Sequence, residues 1–100
     1  MIRVLVLYPQ NENKKFDAEY YKNIHLPLVK ERLNPVKIEA DFGIPRGDVP
    51  SPYLAVTHMI FRSIEELTAK YAKHGQELNE DKNRFTDIDL VFQLSEIVEI

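Results

Sequence analysis

The chain opens on an unbroken β-branched and apolar stretch, Ile2 to Tyr8, which reads as a buried strand. A polar loop, Pro9 to Lys15, follows, and Phe16-Asp17 opens a helix. The Asp17 carboxylate is placed to accept from the free amides of the first turn. Phe16 and Tyr21 bracket that cap as a hydrophobic staple. Tyr20, Ile24 and Leu28 then recur at four-residue spacing, one face of a helix. Pro27 interrupts it: the ring has no amide proton, so the Asn23 carbonyl loses its partner. The spacing therefore predicts a kink, or two abutting helical segments, near His25-Leu26. The second segment must end before Pro35, because the residue preceding a proline avoids the α region.

Val36 to Phe42 alternates apolar and polar positions, the pattern of a strand with one buried face. Gly43 to Pro52 holds two glycines and three prolines and makes a stiff loop. Tyr53 to Phe61 is a second buried strand. Ser63, with Glu66 three residues on, starts a helix through a capping box. Its inner stripe is Ile64, Leu67 and Tyr71, and Gly75 is placed to end it as the residue after the last turn. Gln76 to Arg84 is polar, with room for a short further helical turn, and Asp89 to Ile100 forms the last strand.

The order is βαββαβ. Two βαβ units with right-handed crossovers give a four-stranded antiparallel sheet of order 4-1-3-2 with both helices on one face, an α+β domain of ferredoxin-like topology. One hundred residues make one domain, 1–100. Several strands are apolar on both faces: Leu5 and Leu7 oppose Val4 and Val6, and Val56 and Ile60 oppose Thr57, Met59 and Phe61. A sheet covered on one side alone would alternate more cleanly. The second face is therefore expected to pack on another copy of the chain, a homodimer.

Composition narrows the function classes. With 44% hydrophobic and 29% charged residues the chain is an ordinary globular protein. No apolar run approaches the roughly 20 residues of a membrane helix, and Met1 to Tyr8 is too short for a secretion signal, so no membrane partner and a cytoplasmic location are expected. There is no cysteine, hence no disulfide and no thiolate chemistry. The net charge of −3 and the lack of a basic stripe argue against nucleic acid. Tyr53 to Phe61 also lacks the glycine and lysine that RNA-recognition motifs, which share this strand order, carry on that strand.

Three histidines are the candidates for chemistry. His74 lies near a polar helix end and reads as a surface residue. His58 sits in mid-strand, either satisfied by a hydrogen bond in the core or lining a pocket. His25 stands two residues before Pro27, where freed carbonyls make the local field negative; that field is expected to favour the imidazolium and raise its pKa. A histidine there can exchange a proton or bind an anion, or simply cap the freed carbonyls. No two histidines have ligand spacing, so no metal site is expected. With no glycine-rich phosphate loop and no nucleophile elbow, no cofactor is expected. Tyr20, Tyr21, Tyr53, Phe61, Tyr71 and Phe85 supply aromatic surface for a core or an apolar cleft.

Phe16-Asp17-x-x-Tyr20-Tyr21, followed by His25-Leu26-Pro27-Leu28, resembles the opening helix of the EthD family. Pro50-Ser51-Pro52-Tyr53, His58-Met59-x-Phe61-x-Ser63-x-Glu65, His74-Gly75, Asp81, Asn83, Phe85-Thr86-Asp87 and Gln93-Leu94-Ser95-Glu96-Ile97 continue the similarity in order over nearly the whole chain. The sequence departs from the family form at Ile24, where many relatives have a second histidine, and at Lys82-Asn83-Arg84-Phe85, where they have proline before asparagine. The resemblance implies a dimeric α+β barrel with a cleft between sheet and helices, in which His25 is the functional residue. Two functions follow as expectations. One is a small cofactor-independent enzyme acting on an apolar or aromatic catabolic intermediate. In it His25 is acid or base, His58 and Tyr21 orient the substrate, and Tyr20, Tyr53, Phe61, Tyr71, Phe85 and Gln93 contact it. The other is a non-catalytic dimer that binds a small ligand or supports a degradation pathway.

Overall fold

The computed structural model describes residues 1–100. Its elements are β1 (Ile2–Pro9), α1 (Ala18–Tyr20), a π-helical turn (Tyr21–His25), α2 (Leu26–Leu33), β2 (Lys37–Phe42), β3 (Tyr53–Phe61), α3 (Ile64–Phe85) and β4 (Val91–Glu96). The strands form one antiparallel sheet in the order β2-β3-β1-β4, the expected ferredoxin-like arrangement.

Local chemistry sets the first helical region. Asp17 caps α1 by accepting from the Tyr20 amide at 3.1 Å. The break anticipated at Pro27 takes the form of a widened turn rather than a gap. The Leu26 amide bonds back to the Tyr21 carbonyl, five residues away, so the helix carries one extra residue just ahead of the proline. α2 ends at Asn34, which adopts a left-handed conformation (φ 44°) and returns its amide to the Lys30 carbonyl.

α3 corrects the reading of Gly75 as a helix end. Ser63 caps the helix through the Glu66 amide, and the helix then runs without interruption for 22 residues to Phe85. A mid-helix glycine costs about 1 kcal/mol relative to alanine. That is too little to stop a helix whose buried face continues through Leu67, Leu78 and Phe85. Ile64, expected on that stripe, is instead half exposed. β4 is correspondingly shorter than 89–100.

Strand alternation divides the sheet. Val4, Val6 and Tyr8 of β1 and Ala55, Thr57, Met59 and Phe61 of β3 are buried beneath the helices, where they meet Tyr21, Val29, Leu33, Leu67, Leu78 and Phe85. The opposite face carries Leu5, Leu7, Val56 and Ile60, only partly covered. On β4, Val91, Phe92 and Leu94 are each more than 40% exposed, as are Val98 and Ile100 beyond it. No helix is long and apolar enough to cross a membrane.

Gly75 is not required by packing: a Cβ there would meet only the Tyr71 ring, at an ordinary 3.4 Å, and the backbone angle is not the left-handed one that demands glycine. Gly75→Ala is therefore expected to stabilise the fold by about 0.5–1 kcal/mol through helix propensity. Chemical denaturation checks this; a lowered midpoint would show that the glycine serves the fold.

Candidate active site

Between the inner face of the sheet and helices α2 and α3 lies a cavity of about 160 Å³. That is close to the roughly 150 Å³ of an apolar cavity that admits benzene. Val6, Tyr8, Thr57, Met59, Leu90 and Phe92 line it from the sheet side, Leu26 and Val29 from α2, and Tyr71, Gly75, Leu78, Asn79 and Lys82 from α3. His25, last residue of the π-helical turn, completes the wall.

His25 is only 6% exposed. Its Nδ1 lies 2.8 Å from Oδ2 of Asp81, and the phenol of Tyr20 donates to Oδ1 of the same carboxylate at 2.7 Å. Both Asp81 oxygens are thus engaged by groups from the first helical region, across 56 and 61 residues of sequence. With Asp81 ionised, Nδ1–H must be the donor, which fixes the tautomer and leaves the lone pair on Nε2. The rings of Phe85 (4.6 Å between centroids) and Tyr21 (6.3 Å, nearly parallel) hold the imidazole in place.

Burial dominates the electrostatics. Desolvation lowers the His25 pKa below its ordinary 6.5, outweighing the hydrogen bond and charge of Asp81, which raise it. This corrects the expectation of a raised value: the imidazole is packed among aromatic rings, so loss of hydration outweighs the field of the helix break. For Asp81, burial pushes upward, but the hydrogen bonds from His25 and Tyr20 prevail and the carboxyl lies below its ordinary range. The Tyr21 hydroxyl is hydrogen-bonded to Thr57 Oγ1; burial raises its pKa to about 12 against that bond, and burial alone does the same for Tyr71. Both phenols stay protonated at neutral pH.

The residues singled out from the sequence fall into four groups. His25 and Tyr71 line the cavity. Tyr21, Tyr20 and Phe85 stand behind His25, supporting the wall through Thr57, Asp81 and ring packing. Phe61 is fully buried in the core and Tyr53 lies at the exposed start of β3; neither lines the cavity. His58 and Gln93 need correction as partners of His25. His58 alternates out of phase with buried Thr57 and Met59, and both His58 and Gln93 pair with Leu5, so both project from the opposite face of the sheet. There His58 pairs with Asp41 at 2.6 Å. Sequence reasoning gave no role to Tyr8, Thr57, Asn79, Lys82, Leu90 and Phe92, and matched Asp81 only as part of a motif. The period-two burial of β1 and β3 could have pointed to Tyr8 and Thr57. Nothing local marks Asp81 as the partner of His25.

Fold and site together define a ferredoxin-like α+β domain in which a histidine, held by an aspartate, lines a largely apolar cavity. The chain belongs to the EthD family: the sequence model of the EthD domain matches residues 10–89. It is similar in structure to an EthD-like protein from Ralstonia eutropha JMP134, with 34% identity, a TM-score of 0.92, and coverage of 98% of this chain and 92% of that one. An ethyl tert-butyl ether degradation (EthD) family protein from Bacillus halodurans C-125 shares 20% identity over 98% of this chain and 99% of that one, with a TM-score of 0.80. A dimeric ferredoxin-like protein of unknown function from Bacteroides fragilis NCTC 9343 shares the fold at 11% identity, covering 96% of this chain and 95% of that one, with a TM-score of 0.61. No curated protein matches the sequence.

The His25–Asp81 pair makes stability depend on acid. The unfolded chain takes up a proton at His25 near its ordinary 6.5 while the folded chain resists it, so unfolding binds protons and stability rises with pH in that window. The contribution is complete above 6.5 and declines as pH falls toward the lowered folded value; Asp81 adds a second loss below its ordinary 3.8. An NMR titration of the His25 ring is expected to show a midpoint below 6.5, displaced lower still in Asp81→Asn, which removes the raising interaction. A wild-type midpoint above 6.5 contradicts this account.

Proposed function

We propose that the chain is a small cofactor-independent enzyme in which His25 gives and takes a proton on an apolar or aromatic small molecule held between sheet and helices. The observation that carries this is the His25 ring itself: Nδ1 is occupied by Asp81, and the imidazole lines a cavity whose wall is mostly hydrophobic. A neutral imidazole of fixed tautomer is a general base at neutral pH. Asp81 orients it and stabilises the imidazolium formed when it takes a proton; Tyr20 holds Asp81. The largely apolar wall strengthens that interaction. Membership of a family named for ether degradation supports a catabolic substrate.

A base in an apolar cavity can be tested without knowing the natural substrate. 5-Nitrobenzisoxazole loses its C3 proton to a base while the N–O bond breaks, releasing a coloured phenolate. Saturable turnover is expected, falling as pH drops through the His25 pKa. His25→Ala should abolish it, and Asp81→Asn should reduce it by about 10²-fold or more through loss of the tautomer. Binding of the probe without His25-dependent turnover would favour the second reading, a non-catalytic ligand-binding or accessory protein, which the largely apolar wall also suits.

We further propose that the outer sheet face receives a second copy of the chain. Leu5, Leu7, Val56 and Ile60 on that face, with Val91 of β4 beside Leu7, support this, as does the dimeric ferredoxin-like relative. Light scattering is expected to give twice the chain mass, and Leu5→Lys to halve it. A monomeric wild type would remove the proposal.

A further inference from the structure

The cavity wall carries one lysine. Of the fourteen residues that line it, Lys82 is the sole Lys or Arg, and no Asp or Glu is among them. Lys82 is half-buried, yet it makes no ion pair and no side-chain hydrogen bond. Three other cations pair with carboxylates, Arg32 with Glu77 and Glu31, Arg62 with Glu66, and Lys37 with Glu39; among those left unpaired, Lys82 is the one that lines the cavity. The nearest acid in sequence, Asp81, has both oxygens committed to His25 and Tyr20. The remaining acids of the C-terminal half of α3 turn elsewhere, Glu77 to Arg32 and Glu80 to Gln76. Lys82 shares one stripe of α3 with Tyr71, Gly75, Leu78 and Asn79, all of which line the cavity.

We propose that the ligand of this cavity is a small amphipathic monoanion, an aromatic or apolar body bearing one carboxylate or equally acidic oxygen group. Its charge is held by Lys82 beside Asn79, and its body lies over Gly75 against Tyr71 and Phe92. The assignment rests on the reading of this cavity as the ligand site. The reasoning is one of charge balance. An anion entering a largely apolar space meets a partly buried lysine with no ion-paired competitor, where attraction is screened less than in bulk water. A cation would be repelled, and a neutral isostere would leave the ammonium unmatched. Gly75 widens the space next to that charge, at the helix-propensity cost already noted, so a planar ring can lie against the helix backbone.

Calorimetric titration of the full-length protein at neutral pH tests this with three probes, benzoate, salicylate and 1-naphthoate, each set against its carboxamide. The amides keep the shape and lose the charge. The acids are expected to bind about tenfold or more tightly than their amides. Lys82→Met should bring each pair to near equality while leaving the amide affinity unchanged, and Lys82→Arg should retain the preference. Equal affinities in the unmodified protein, or a preference that survives Lys82→Met, overturns the assignment and leaves the cavity reading intact. Failure of every probe to bind, with the His25 and Tyr71 NMR signals unmoved, overturns both. If Lys82 serves only to complement the C-terminal end of α3, Lys82→Met will lower the melting temperature and leave the acid-to-amide ratio as it was; that result also overturns the proposal.

Discussion

The Asp81 carboxylate is the point on which the site depends. It sits on α3, accepts from Tyr20 on α1 and from His25 at the end of the π-helical turn, and so ties the first helical region to α3 beside the cavity. A buried carboxylate is costly unless its oxygens are satisfied, and here each oxygen has a donor. The same bonds decide the chemistry. They lock one tautomer of His25 and leave the lone pair on Nε2.

Pro27 and Asp81 act on His25 by different routes. Pro27 removes one amide from the helix, and the chain responds with a widened turn that ends on His25. Asp81 then fixes the ring that this turn presents, and the aromatic rings of Tyr21 and Phe85 complete the packing. Burial among those rings keeps the imidazole neutral at physiological pH. Proline, carboxylate and aromatic shell thus give one result, a neutral imidazole of fixed tautomer lining a space the size of a single substituted ring.

The two faces of the sheet have separate tasks. The inner face builds the core and the cavity. The outer face carries a mixed surface in which aliphatic side chains alternate along the strands with groups such as Arg3, Lys37, Glu39, Asp41 and His58. The His58–Asp41 pair belongs to that surface and not to the cavity. Strand periodicity of two is enough to keep the two sets apart, since adjacent residues such as Thr57 and His58 cannot face the same side.

What the sequence determined by itself was the topology and the elements that carry it. Alternation and apolar runs gave the strands, Asp17 and Ser63 gave the helix starts, Pro27 marked the irregular turn, and the motifs around His25 and His74-Gly75 indicated the family. All of these are local signals, legible because backbone sterics, capping and burial act over a few residues. Tertiary structure decided what those residues do together. It brought Asp81 to His25 across 56 positions, sent His58 and Gln93 to the far side of the sheet, and carried α3 through Gly75 to place Lys82 at the cavity. The direction of the His25 pKa was also decided there, because desolvation depends on which rings pack around the imidazole, and the chain supplies those rings from distant elements.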